Sequence, residues 1–226
     1  MKRSQINRII RDAETCMAAN GIRLPPFATW SKEDFSSRNQ QLDRFRAAQL
    51  GWDITDYGKE RFEETGLVLF TLRNASPEER DQGTGCKYAE KIMISGKDQV
   101  CPMHFHESKT EDIIVRGDVP LAVRLYHANP NGELDQQTPV EVYCDGVART
   151  VAAGDVVVLQ SGESITLTPR IYHAFWGEGG ACLVGEVSTV NDDHTDNYFV
   201  DPMGRFPNIE EDEAPYRFLV GDYAGL

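Results

Sequence analysis

Cysteine is scarce in this sequence, and none of it is patterned. The five cysteines, Cys16, Cys86, Cys101, Cys144 and Cys182, are odd in number and contain no CxxC pair. A disulfide framework or a structural zinc knot is therefore not the organising device. No stretch approaches the roughly 18 apolar residues that a membrane-spanning helix needs. The opening residues, MKRSQINRIIRDAETC, carry charge throughout and have no apolar core of a secretory signal. A basic excess is also missing: 23 Lys and Arg stand against 36 Asp and Glu, a formal net charge of −13. That balance opposes nucleic acid and anionic membranes as partners, because both want a basic face, and it opposes a strongly anionic substrate. Repeats and low-complexity segments are absent. The expectation is a cytoplasmic, reduced protein that works on a small molecule.

What is present suits one domain with a decorated edge: 226 residues, of which 40% are hydrophobic. Residues 4–20 read as a helix, with Ile6, Ile9, Ile10, Ala13 and Met17 at helical spacing, Ser4 as its N-cap and Gly21 as its stop. Leu24-Pro25-Pro26 breaks the chain. Ser31 followed by Asp34 resembles a capping box, and a second helix is expected over part of 32–50, with Phe35, Leu42 and Phe45 on one side.

From about residue 66 the texture changes to short runs rich in β-branched and aromatic residues. GLVLFTLRNAS, YAEKIMIS, VCPMHFHE, TEDIIVRG and PLAVRLYHA come first, and DVVVLQS, SITLTP, IYHAFWG and ACLVGEVSTV later. Between them, VEVYC and VARTVAA flank Asp145-Gly146, a strong hairpin signal. Strands at this spacing predict a β-sandwich or barrel. The boundaries read as a helical extension over 1–60, a β-barrel core over 66–190 and a C-terminal segment over 191–226 that covers the barrel, all in one domain.

The chemistry gathers around His104-Phe105-His106. Residues i and i+2 of a strand share a face, so both imidazoles can reach one ion. Glu111 opens the next expected strand, and His173 lies on a later one. Three imidazoles and a carboxylate suit Mn²⁺, Fe²⁺, Co²⁺, Ni²⁺ or Zn²⁺ better than Ca²⁺ or Mg²⁺. The competing reading, that an isolated HxH is only a pair of satisfied histidines, loses weight once the carboxylate and the third histidine join it.

CPMHFHESKTEDIIVRG resembles the first cupin motif, with Gly96 and Gly117 as flanking glycines, and SGESITLTPRIYHAFWG resembles the second, which supplies His173. The second departs from the pattern in lacking the usual Gly after Pro169 and the Asn that often follows the histidine. HFHESKTEDIIVRG, with the later GEVSTVNDDHTDNYF and GRFPNIEEDE, is similar to the D-lyxose isomerase family of bacterial cupins, whose HxHxxKxED pattern runs in full from His104 to Asp112. The resemblance implies a jelly-roll-like β-barrel, Mn²⁺ as the usual metal, and reversible conversion of D-lyxose to D-xylulose, with D-mannose to D-fructose as a related reaction.

That reaction moves one proton between C1 and C2 and another between O1 and O2. It needs a Lewis acid for the enediolate oxygens and a side chain to carry the proton. Lys109 shares the alternation parity of Glu111 and is expected to face the metal, where its charge suits the enediolate oxygen. Glu186 and Glu211 are the candidate bases. Lys91, Phe175, Asp193 and Glu210 are candidate substrate contacts: Lys91 as a charge in an apolar strand, Phe175 as an aromatic on the face of His173, and the acids as cover for the barrel mouth. Each has a plainer reading as surface charge, turn residue or core. The rival functions are a dioxygenase with a three-His, one-Glu centre, a non-catalytic sugar-binding cupin and a phosphosugar isomerase. An oxygenase favours an apolar cavity, whereas a sugar needs many hydrogen-bonding partners, and the charged residues threaded through the later strands favour the sugar. No basic cluster offers a phosphate site. An exposed sheet edge would favour a homodimer.

Overall fold

The structure is a computed structural model and describes residues 1–204 and 207–226. Helix α1 spans Arg3–Ala19, and Ile6, Ile10, Ala13 and Met17 form its buried stripe. The N-cap of the helix falls two residues earlier than expected. Lys2 is its N-cap, while Ser4 sits inside the first turn and gives its backbone N–H and hydroxyl to the Asp212 carboxylate at 2.9 and 2.7 Å. The Ser31–Asp34 capping box forms: Asp34 N–H donates to Ser31 Oγ at 3.2 Å, and Ser31 N–H donates to Asp34 Oδ2 at 3.0 Å. It opens α2 (Lys32–Ser36), and a separate α3 (Asn39–Ala47) follows. The expected single helix is thus two. Ser36 and Ser37 turn their hydroxyls back onto the carbonyls of Lys32 and Asp34, which competes with continuation of the helix.

The strands are β1 (Gly51–Thr55), β2 (Leu67–Arg73), β3 (Tyr88–Ser95), β4 (Cys101–Phe105), β5 (Glu111–Val115), β6 (Leu121–Ala128), β7 (Leu134–Asp135), β8 (Val140–Cys144), β9 (Val147–Val151), β10 (Val156–Leu159), β11 (Ser164–Leu167), β12 (Ile171–Gly177), β13 (Cys182–Thr189) and β14 (Tyr198–Phe199). A short α4 (Pro77–Asp81), capped by Ser76 and Glu79, follows β2. Asp145 and Gly146 take φ of 51° and 79°, as a two-residue turn of the β8–β9 hairpin requires.

The strands form two antiparallel sheets, ordered β1-β2-β3-β13-β5-β11-β8-β9 and β10-β6-β12-β4-β14. Between them lies one apolar core, with Leu69, Met93, Ile113 and Val184 from the first sheet and Val123, Leu125, Leu159 and Phe175 from the second. This is the mainly β, cupin-type architecture with helices outside. Strand β1 falls within the stretch expected to be helical. Its Trp52 and Ile54, with Val68, Phe70 and Ile92, form the outer sheet face on which α1 packs. The end of the chain follows the helices rather than the barrel mouth: Tyr223 is buried against Phe35 and Leu42, and its hydroxyl donates to Leu50 O at 2.8 Å. Among the described residues, no helix is long and apolar enough to cross a membrane.

Candidate metal centre

Strands β4 and β12 are neighbours, and His104 and His173 stand directly opposite each other. Their ring centroids are 4.1 Å apart, and the His106 ring lies 5.1 and 5.5 Å from them. One nitrogen from each ring falls within 4.8 Å of the others, and all three residues are buried. Glu111 comes from the opposite sheet, at the start of β5. Its Oε1 lies 3.0 Å from His173 Nε2 and 3.5 Å from His106 Nε2.

Each imidazole is oriented from behind by a backbone carbonyl. His104 Nδ1 meets Pro102 O at 2.7 Å, His106 Nδ1 meets Asp196 O at 2.6 Å, and His173 Nδ1 meets Ile171 O at 3.1 Å. A carbonyl can only accept, so the proton belongs on Nδ1 and the Nε2 lone pair faces the cavity. Burial holds His104 well below the usual imidazole range, with His173 and His106 adding to it, and burial followed by Lys109 lowers His106. Neutral imidazole is the form that binds a metal. His106 Nε2, His173 Nε2 and Glu111 Oε1 are buried without a hydrogen-bond partner. Three inward lone-pair donors with nothing to receive a hydrogen bond from are costly unless a cation gathers them, so these residues fit a divalent metal.

Beside them lies a row of buried charge. Lys109 Nζ is 2.7 Å from Glu111 Oε2 and 3.3 Å from Glu186 Oε1, and Lys91 Nζ is 3.1 Å from the same Glu186 oxygen. Glu186 and Lys91 face each other in register across β13 and β3. Asn191 Oδ1 accepts from both ammoniums, at 2.9 Å from Lys91 and 3.2 Å from Lys109. Burial opposes the charge on Lys109, but Glu111 and then Glu186 outweigh it and raise its pKa. Burial likewise opposes ionisation of Glu111, yet Lys109 and then His106 hold its carboxyl well below the usual range. Thr55, Tyr57, Asp193, Asn197 and Phe199 also line the cavity, as do the apolar Leu67, Leu69, Met93 and Phe175. Asp193 Oδ1 is 4.0 Å from Lys91 Nζ.

The structure therefore brings together His104, His106, Lys109, Glu111, His173, Lys91, Phe175, Glu186 and Asp193. It does not bring Glu210 and Glu211, which were expected at the barrel mouth. Glu211 is drawn to the start of α1 by the Arg3 guanidinium at 2.6 Å, and Glu210 is exposed beside Lys2, with its carbonyl accepting from Arg3 N–H. Asn191, Asp196 and Asn197, from the turn-rich stretch after β13, and Phe199, from β14, also serve the site without having been marked as candidates by the sequence. The signal available was their place in VNDDHTDNYF, which reads as a polar loop.

A family model described as D-lyxose isomerase matches residues 1–223. A protein named D-lyxose/D-mannose isomerase from Serratia proteamaculans is 47% identical over 230 residues, covering 99% of this chain and 98% of its own. One of the same name from Escherichia coli O157:H7 is 43% identical over the same coverage of both chains, 99% and 98%. Among solved structures, Cellulomonas parahominis L-ribose isomerase with L-ribose superposes with a TM-score of 0.61 at 17% identity, over 93% of this chain and 98% of that one. Geodermatophilus obscurus L-ribose isomerase does so with a TM-score of 0.60 at 16% identity, over 92% and 98%. At such identities these two structures show a shared fold.

Proposed function

The chain belongs to the D-lyxose isomerase family of aldose–ketose isomerases, and from that membership and its cavity we infer that it interconverts D-lyxose with D-xylulose and, less readily, D-mannose with D-fructose. The observation that carries this reading is the unbroken buried row Lys91–Glu186–Lys109–Glu111–His173, with successive contacts of 3.1, 3.3, 2.7 and 3.0 Å. It sets two carboxylates and two ammoniums beside three inward imidazole nitrogens, which suits moving a proton between two oxygen-bearing carbons.

His104, His106, His173 and Glu111 would hold a divalent metal, Mn²⁺ by the family's habit, and such an ion would supply Lewis acidity for the negative charge that develops during the reaction. Glu111 is committed between Lys109 and the imidazoles and is a poor base. Glu186 takes the proton from C2 of the aldose and returns it to C1, while a second proton passes from O2 to O1, so the carboxylate ends in its starting state. Lys109 offsets the negative charge that develops on those oxygens. Lys91 and Asp193 bind sugar hydroxyls, and Phe175 packs against the carbon skeleton. We place the protein in the cytoplasm. We propose a homodimer, for which the edge strands β9 and β10, with exposed Val147, Val156 and Val158, are suitable surfaces.

The test is a panel of aldoses and ketoses incubated with Mn²⁺-reconstituted protein and read by product identity. D-xylulose from D-lyxose is the expected main product. If every aldose is returned unchanged, the reading fails.

A further inference from the structure

The connection between β4 and β5 carries His106 and Lys109 and leads into Glu111, so three groups of the site depend on the path of residues 106–110. That path is tied at its ends, where Arg170 N–H donates to His106 O at 2.8 Å and Thr189 N–H to Thr110 O at 3.0 Å, and the Glu107 carboxylate pairs with Arg170 at 2.6 Å; the main chain of 107–109 between those ties looks elsewhere for its partners. The backbone N–H groups of Glu107, Ser108 and Lys109 make no backbone hydrogen bonds among the described residues. All three point instead into one carboxylate, that of Asp196. Glu107 N–H donates to its Oδ1 at 2.7 Å, Ser108 N–H to the same oxygen at 3.1 Å, and Lys109 N–H to Oδ2 at 2.9 Å. The Ser108 hydroxyl adds a fourth donor at 2.8 Å to Oδ2. Asp196 also supplies the carbonyl that holds His106 Nδ1 at 2.6 Å. The residue is buried, with 8% of its surface exposed.

We propose that Asp196 is a positioning residue for both halves of the reaction. Its main chain aims the His106 lone pair at the metal position, and its side chain fixes the loop that delivers Lys109 to Glu111 and Glu186. The physical case rests on three points. Successive N–H groups folded around a carboxylate make an anion-binding nest, in which the charge is stabilised by aligned backbone dipoles. Hydrogen bonds donated by N–H groups to a charged acceptor are the stronger kind, and a buried N–H left without a partner costs free energy. A partner standing behind a metal-binding histidine controls ligand direction, and its loss costs on the order of 10–100-fold in metal affinity or activity. Asp196 joins these roles in one residue that never touches the cavity's reacting centre, so it acts through His106 and Lys109. It reaches this place because β14, two residues on, pairs with β4 and returns the chain beside the strand that carries His104.

The inference rests on the metal-centre reading above, and the experiment separates the two. Apo-protein is titrated with Mn²⁺ in competition with a chromogenic chelator, and turnover of D-lyxose is then measured at saturating Mn²⁺. Asp196→Asn keeps the shape but sets an amide where the N–H groups need an acceptor. The carbonyl behind His106 remains, so the effect passes through the loop: Mn²⁺ binding is expected to weaken by about tenfold, the low end for a group that orients a metal ligand, and kcat at full metal loading to fall by about tenfold or more with a smaller change in KM. Arg80→Ala is the control, because Arg80 holds the same chain segment only from outside, through Asp192 Oδ2 at 3.2 Å. It is expected to leave both quantities within about twofold. Wild-type affinity and kcat in Asp196→Asn overturn the proposal, and so does an equal loss in Arg80→Ala, which would mean that any loosening of the segment suffices. Should Asp196→Asn fail to fold, Ser108→Ala removes one donor from the nest. A drop of about threefold or more in Mn²⁺ affinity supports the proposal, and an unchanged affinity overturns it. A wild-type chain that takes up no Mn²⁺ overturns the metal centre itself, and this inference with it.

Discussion

Lys109 and Glu111 form a buried ion pair at 2.7 Å that divides the carboxylate between two tasks: Oε2 receives the ammonium, and Oε1 is left 3.0 Å from His173 Nε2. The lysine thereby holds Glu111 ionised and selects which oxygen faces the metal position. Lys109→Met keeps the length of the side chain and removes the charge. The expected outcome is a fall in kcat of about a hundredfold or more, in the range of acid–base and electrostatic groups, with one metal still bound per chain, because Glu111 then has the metal as its remaining cation. Metal content measured beside kcat decides the matter. A variant that loses its metal would assign the lysine to assembling the centre instead.

Glu186 and Glu211 were both candidates for the base, and the structure separates them. Glu186 is buried between two ammoniums in the cavity, whereas Glu211 is half exposed and paired with Arg3. Glu186→Gln is expected to lower turnover by roughly a hundredfold or more at full metal occupancy. Glu211→Gln is expected to leave turnover within about twofold. Normal isomerisation by Glu186→Gln would move the base elsewhere in the cavity, to Asp193 first.

Metal removal has a stability signature that is independent of turnover. A ligand that binds only the folded state stabilises by about 2.7 kcal/mol at a concentration of a hundred times its Kd, or roughly 5–10 °C in Tm for a chain of this size. Mn²⁺ added to apo-protein is expected to raise Tm by that amount, and His173→Ala to abolish the rise. Equal shifts in wild type and variant would mean that the ion binds somewhere other than the imidazole cluster.

The parts of this site that sequence made legible are those with a short-range period. His104 and His106 share a face because strand alternation has period two, Lys109 and Glu111 keep the same parity, and Lys91 and Glu186 stand out as charges in apolar strands. What escaped is set by partners far away in sequence. Asp196 reaches Lys109 across 87 positions, and Asn191 reaches Lys91 across 100, so each looks locally like one more polar residue in a turn. Strand β1 escaped for a related reason. Its five residues are all buried, covered outside by α1, and include an Asp, so no alternation marks it. Glu210 and Glu211 were expected at the mouth because they lie in a family-like segment, and nothing local signals that Arg3 captures the chain there.

The same capture gives a testable dependence on pH. The C-terminal segment is latched to α1 by carboxylates. Glu211 accepts two bonds from Arg3, and Asp212 accepts from the hydroxyl and backbone N–H of Ser4. Hydrogen bonding from Arg3 lowers the Glu211 pKa, and hydrogen bonding from Ser4 lowers that of Asp212. For a carboxylate depressed in the folded state, the unfolded chain takes up protons first as pH falls. The stabilisation is therefore complete above the unfolded values, about 4.3 for Glu and 3.9 for Asp, and is lost as pH descends through the lower folded values. Arg3 stays charged throughout, so the carboxylates alone set the window. Thermal melts of wild type and Glu211→Gln, both with metal removed, are expected to differ at pH 7 by the same margin as at pH 6 and to converge toward pH 3. Because Glu211 is half exposed, solvent screening keeps the margin small, and added salt is expected to shrink it further. A gap that persists unchanged to pH 3 would show that the Gln side chain disturbs packing rather than charge, and no gap at pH 7 would show that the latch contributes nothing to stability.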